Sequence, residues 1–243
     1  MGLTMGNPSF EFKQFTVFHN HCAMKVTTDA CLFGAWIAKK ICEKNCHGKK
    51  LLDIGTGSGL LSLMTAQQND LLIDAVEIDG LAAKQASDNF SSSPFGNNLK
   101  IIHSDILHFN QDGYDCIISN PPFYEAELTS PKQEKNIAHH SQQLKWKELL
   151  SIINQKLNYD GTFFLLLPFK RKKEIEILLA ANQLFINEII TVRQTNQHLP
   201  FRCMIMGSKK ESTHSSNDLS ICDDKKQYTP TFIQLLKDYY LNL

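Results

Sequence analysis

Leu51-Leu52-Asp53-Ile54 runs directly into Gly55-Thr56-Gly57-Ser58-Gly59 and then into an apolar stretch from Leu60 to Gln68. The apolar run predicts a short strand, the three glycines a tight turn, and the following stretch a helix. Strand, glycine turn and helix in that order form the opening unit of a nucleotide-binding α/β sheet. The spacing is G-x-G-x-G rather than the G-x-G-x-x-G of dinucleotide sites, which argues against a nicotinamide cofactor. Glycines without Cβ atoms let the backbone approach a ligand closely, and the amino end of the helix after Gly59 favours a carboxylate.

Three more strand ends follow. Leu71 to Val76 predicts a second strand ending at Glu77-Ile78-Asp79. An acidic residue there, about 20 residues after the glycine turn, is where such folds hold a ribose diol. Glu77 follows the strand directly and is the candidate; Asp79 is expected to cap the next helix, residues 81–90. Leu99 to His103 predicts a third strand, followed by Ser104-Asp105-Ile106. The Asp105 carboxylate can accept a hydrogen bond from an adenine amino group, and it can equally cap a helix. The fourth strand, Cys116 to Ile118, stops at Asn120-Pro121-Pro122-Phe123. Two prolines remove two backbone donors and stiffen the loop, leaving an amide and an aromatic ring at its tip. That pair suits a planar group carrying NH2; the plainer reading is a rigid turn with Phe123 in the core.

The remaining chain fits one α/β domain over residues 1–243, with an N-terminal extension and helix (1–45) before a Rossmann-like core (46–243). Phe10, Phe12, Phe15, Val17 and Phe18 suggest short extended segments, such as a hairpin would supply, and a helix is expected to start at Thr27-Thr28-Asp29. His19 and His21 stand two apart with no Asp or Glu beside them and read as ordinary polar residues rather than as a metal site. The polar run 125–140 reads as a loop over a site or a plain surface connection, followed by an amphipathic helix at 144–157 and a fifth strand at 161–167. Phe169-Lys170-Arg171-Lys172-Lys173 begins another helix, with basic charge opposing the helix dipole. Two closing strands, 186–192 and 203–207, are expected to be antiparallel; residues 209–217 read as a flexible loop, and Tyr228-Thr229-Pro230 opens a last helix. The 243 residues are 42% hydrophobic and 21% charged with zero formal net charge, so a nucleic acid would have to be held by a local basic patch. The cysteines are scattered, with no C-x-x-C pair, which fits a reducing cytoplasm; neither a signal peptide nor a membrane-spanning run is evident.

Taken together, Asp53 with its glycine turn, Glu77, Asp105 and Asn120-Pro121-Pro122-Phe123 resemble the class I S-adenosylmethionine-dependent methyltransferases that act on amino groups. Phe12-Lys13-Gln14-Phe15, Cys22-Ala23-Met24-Lys25-Val26, Thr28-Asp29-Ala30, Gln85-Ala86 with Asn89, and Asp238-Tyr239-Tyr240-Leu241 resemble the bacterial tRNA1(Val) (adenine(37)-N6)-methyltransferase family. The resemblance implies a mostly parallel seven-stranded sheet with helices on both faces, S-adenosylmethionine as cofactor, tRNA as partner, and no metal or membrane. It implies cofactor binding by Asp53, Gly55, Gly57, Gly59, Glu77, Asp105, Ile106 and Asn120, and a catalytic loop of Asn120, Pro121, Pro122 and Phe123. Lys13, Lys25, Lys39, Lys40, Lys132, Lys135 and residues 170–173 are the candidates for RNA contact. The loop alone also suits adenine in DNA or rRNA, or a glutamine amide. The run from Lys209 to Asn217 departs from the family pattern and is expected to break the closing hairpin.

Overall fold

In a computed structural model, which describes residues 7–44, 48–121 and 145–243, the apolar runs pair into one sheet. A hairpin of β1 (Ser9–Glu11) and β2 (Thr16–Phe18) precedes α1 (Thr28–Glu43). Then come β3 (Lys50–Ile54), α2 (Leu60–Gln68), β4 (Leu72–Glu77), α3 (Gly80–Ser91), β5 (Leu99–His103) and β6 (Tyr114–Ser119). The second half holds α4 (Trp146–Lys156), β7 (Leu157–Pro168), α5 (Lys172–Ala181), β8 (Phe185–Arg193), β9 (Arg202–Ser208), β10 (Ser215–Ser220) and α6 (Pro230–Leu236). The sheet order is β10-β8-β9-β7-β6-β3-β4-β5, and β9 runs against its neighbours β7 and β8 while the other pairs are parallel.

Alternation along the strands explains why the central runs are apolar without a break. Phe163, Leu165 and Leu167 pack with Leu149, Ile153, Ile175 and Leu179 of α4 and α5. Phe164 and Leu166, one residue out of step, pack with Phe33 and Trp36 of α1 and Leu63 of α2 on the other face. A strand covered on both sides has no solvent-facing position, so its sequence loses the polar half of the pattern. Each fully buried Leu or Phe contributes roughly 1.5–3 kcal/mol, so these two layers hold the sheet together. The Trp36 and Phe164 rings meet edge to face at 5.6 Å. Gly34 lets α1 and α2 close up, since a Cβ there would lie 2.7 Å from Met64 Sδ.

The expected sheet of seven strands has eight. The extra one is β10, at the outer edge beside β8, and it includes part of the run expected to be a flexible loop. Ser215 to Asp218 are exposed, so their polar side chains cost nothing there, and pairing along these residues comes mainly from the backbone, with Leu219 alone of this strand buried in the core. The closing hairpin is intact: β8 and β9 pair from Phe185↔Ser208 to Val192↔Arg202, and the insert lies beyond it.

The hairpin and the end of the chain meet over α2. Lys13 N donates to Tyr239 O at 2.8 Å, Phe12 bridges to Tyr240, and the Tyr239 hydroxyl donates to Met64 O at 2.8 Å.

Candidate active site

Four adjacent parallel strands, β6, β3, β4 and β5, end side by side, and the candidate residues stand at those ends. The register aligns Ile54 with both Ser119 and Val76, and Glu77 with His103. The Ser119 hydroxyl donates to Ile54 O at 2.9 Å, joining the fourth strand end to the first.

Asp53 is buried under the start of α2, where the Thr56 and Ser62 hydroxyls each donate to its Oδ2 at 2.7 Å. Burial pushes its carboxyl up to about 6, with the Glu77 charge adding to the rise and the two hydroxyls opposing it. Gly55, Gly57 and Gly59 have φ of +70°, +57° and +82°, a region that L side chains avoid. A Cβ on Gly55 or Gly57 would meet nothing within 4 Å, so this turn faces open space; at Gly59 it would strike Phe90 Cε1 at 2.4 Å.

Glu77 folds back over this turn. Its Oε2 accepts from Gly57 N at 2.8 Å and its Oε1 from Asp79 N at 3.0 Å. A carboxylate has about four acceptor positions, so two remain for a pair of hydroxyls. Asp79 caps α3, its side chain accepting from Ala82 N at 2.8 Å, as the sequence led one to expect. Asp105 caps the 3-10 turn 106–108 through Oδ1, which accepts from Leu107 N at 2.9 Å. Its Oδ2 lies 3.8 Å from His108 Nδ1, beyond hydrogen-bond range, and is available to an amino group. The Ile106 side chain is buried with Leu52, Ile54 and Val76, so its backbone N–H is what it can offer a ligand.

Asn120 Oδ1 is buried and has no hydrogen-bond partner. A buried carbonyl oxygen left unpaired costs about 1–3 kcal/mol, which marks a position awaiting a donor. Pro121 stands beside it, half-buried; Pro122 and Phe123 lie outside the described residues, as does the polar run 125–140.

The basic candidates separate by edge. Arg202 pairs in register with Pro168 and binds Asp29 at 2.7 Å, so the start of α1, with Lys25 before it, and the run 170–173 share the edge where β7 ends. Lys13 instead donates to Lys237 O, and Lys40 pairs with Glu188 at 2.7 Å. Lys132 and Lys135 lie outside the described residues. Sequence reasoning missed Thr56 and Ser62, whose role appears only once α2 folds back over Asp53, and gave Asn89 no role. Among the described residues, no group of three or more His, Cys, Asp or Glu could hold a metal ion, and no helix is long and apolar enough to cross a membrane.

Residues 34–177 match the Methyltransferase small domain family. A tRNA1(Val) (adenine(37)-N6)-methyltransferase of Dyadobacter fermentans is 39% identical, the match covering 97% of this chain and 98% of the relative. Its counterpart in Haemophilus influenzae is 36% identical, covering 96% and 98%. This chain belongs to the tRNA1(Val) (adenine(37)-N6)-methyltransferase family. Solved structures agree on the fold of this family member. A predicted O-methyltransferase from Agrobacterium tumefaciens superposes with a TM-score of 0.67 at 14% identity, covering 88% of this chain and 99% of that one. The cofactor of this methyltransferase is S-adenosylmethionine. The open glycine turn and the spare acceptor positions of Glu77 fit it.

Proposed function

We propose that this chain transfers a methyl group from S-adenosylmethionine to N6 of adenine 37 in tRNA1(Val), at the edge where β6, β3, β4 and β5 end. The observation that carries the reading is the unpaired, buried Asn120 Oδ1 beside a proline-stiffened backbone. It is supported by the names of the relatives, which span nearly their whole length.

When bound, the cofactor supplies a methyl group on a positively charged sulfur. An exocyclic adenine nitrogen is a poor nucleophile because its lone pair is delocalised into the ring. Asn120 Oδ1 accepts one of its hydrogens and the Pro121 carbonyl the other. Holding both favours a pyramidal nitrogen, with its lone pair freed for attack and the developing positive charge stabilised by two oxygens. The methylated nitrogen then gives up one of its two hydrogens as a proton to water, so no general base of tuned pKa is needed before transfer. Phe123 stacks on the base, a contact worth about 1–3 kcal/mol. On the cofactor side, Glu77 accepts the ribose hydroxyls, Asp105 Oδ2 the adenine amino group, and the turn 55–59 with Asp53 holds the amino-acid end. Lys25 and residues 170–173 face the RNA backbone. The whole chain acts as one domain in a reducing cytoplasm, where tRNA is found.

The test is transfer of labelled methyl to unmodified tRNA, duplex DNA, rRNA and release-factor protein in parallel. Label is expected in tRNA at the adenine next to the anticodon. Label in protein alone would overturn the reading.

A further inference from the structure

Asn89, on α3, is the point where the N-terminal hairpin joins the cofactor turn. It is 1% exposed, and both N–H groups of its side-chain amide and its oxygen are engaged. Oδ1 accepts from Phe18 N at 3.1 Å, while Nδ2 donates to Phe18 O and to Ser58 O, both at 2.8 Å. The first two bonds hold both the N–H and the C=O of Phe18, the last residue of β2, as a neighbouring strand would. The third reaches the carbonyl of Ser58, which stands between Gly57 and Gly59. One planar group, with both its donors and one acceptor position engaged, thus fixes Phe18 relative to the turn.

Resting on the function proposed above, we infer that Asn89 is a positioning residue that locks the segment from Phe18 to Val26 against the glycine turn, so that this segment forms a wall of the cofactor site and cofactor binding and segment docking strengthen each other. Two further observations agree. Gly57, next to Ser58, donates to Glu77, so one line of hydrogen bonds runs from Phe18 through Asn89 and the turn to the candidate ribose carboxylate. Cys22, within the segment, has its thiol pushed up to about 11, first by burial and then by the charges of Glu77 and Asp79, so the segment lies within electrostatic reach of that carboxylate.

Hydrogen exchange of the unaltered protein, with and without S-adenosylhomocysteine, is the first test. Slower exchange is expected both in the turn 55–59 and in the segment 18–26. Protection of the turn alone would overturn the coupling; protection of neither would overturn the cofactor site and the coupling with it. The second test is Asn89→Asp, which sets a carboxylate oxygen against the carbonyls of Phe18 and Ser58. Alkylation of Cys22, followed by peptide mass mapping, should speed up by about ten-fold, with a similar loss of cofactor affinity and with kcat at saturating cofactor nearly kept. Unchanged Cys22 labelling, or equal acceleration at the buried Cys31 and Cys116, would show a merely structural role and overturn the inference.

Discussion

Glu77 accepts the Gly57 amide at 2.8 Å, so the carboxylate at one strand end fixes the turn at the next. Replacing Glu77 with Ala removes the acceptor for Gly57 and Asp79 as well as the proposed diol contact. Cofactor affinity should fall about 100-fold, from the loss of two charge-assisted hydrogen bonds. Stability should fall by about 1–2 kcal/mol, because only the amides are left unpaired. Titration calorimetry and chemical denaturation read the two effects separately. Full affinity in the variant would remove Glu77 from the site.

Asn120→Ala should reduce kcat by about a thousand-fold or more, the scale of losing a preorganised acceptor for developing charge. Its affinity for the cofactor should stay close to that of the unaltered protein. Stability should hold or rise slightly, because the oxygen removed is already without a partner. A variant that turned over normally would refute the role given to this side chain.

Asp53 should give the stability curve a particular slope. Its carboxyl titrates at about 6 in the folded chain against an ordinary value of 3.8, so folding favours the protonated form. Its contribution is therefore complete below about pH 4 and is lost as pH rises through 6, a swing of up to about 3 kcal/mol. Asp53→Asn lacks this loss. Denaturation of both proteins between pH 4 and 7 should show the gap between them shifting in favour of the Asn variant as pH rises. Parallel curves would contradict the raised carboxyl.

Gly55→Ala and Gly59→Ala should fail for different reasons. Both positions have positive φ, a strain of about 1–2 kcal/mol for alanine. At Gly59 the new methyl also meets the Phe90 ring, adding a packing cost of about 1–3 kcal/mol. At Gly55 it enters open space, so cofactor affinity should suffer more than stability. Melting temperatures and calorimetric affinities of the pair distinguish the two; equal destabilisation would mean that the space beside Gly55 is irrelevant to binding.

The place of the candidate residues at the strand ends could be read from sequence because apolar runs locate buried parallel strands, and open α/β sheets bind ligands where such runs stop. Leu99–His103 falls where the pattern placed it, and Asp79 takes the cap expected of it. β10 escaped because an edge strand held by backbone pairing needs no apolar face, and Ser215-Ser216-Asn217-Asp218 has none. Asn89 has no pattern of its own: its partner Phe18 is 71 positions away, a distance only the fold can close. Asp105 shows that two readings of one residue can be compatible, one oxygen capping the turn and the other left over.

The junction of Lys13 with Lys237 spans 224 positions of chain. During synthesis the hairpin leaves the ribosome early, but the residues that seat it beside α2 emerge near the end. The turn at Gly55–Gly59 can fold with its own strand and helix long before that. A nascent chain therefore passes through a stage in which the turn is formed while the hairpin still lacks part of its seat, which is complete only when the region around Tyr239 has arrived.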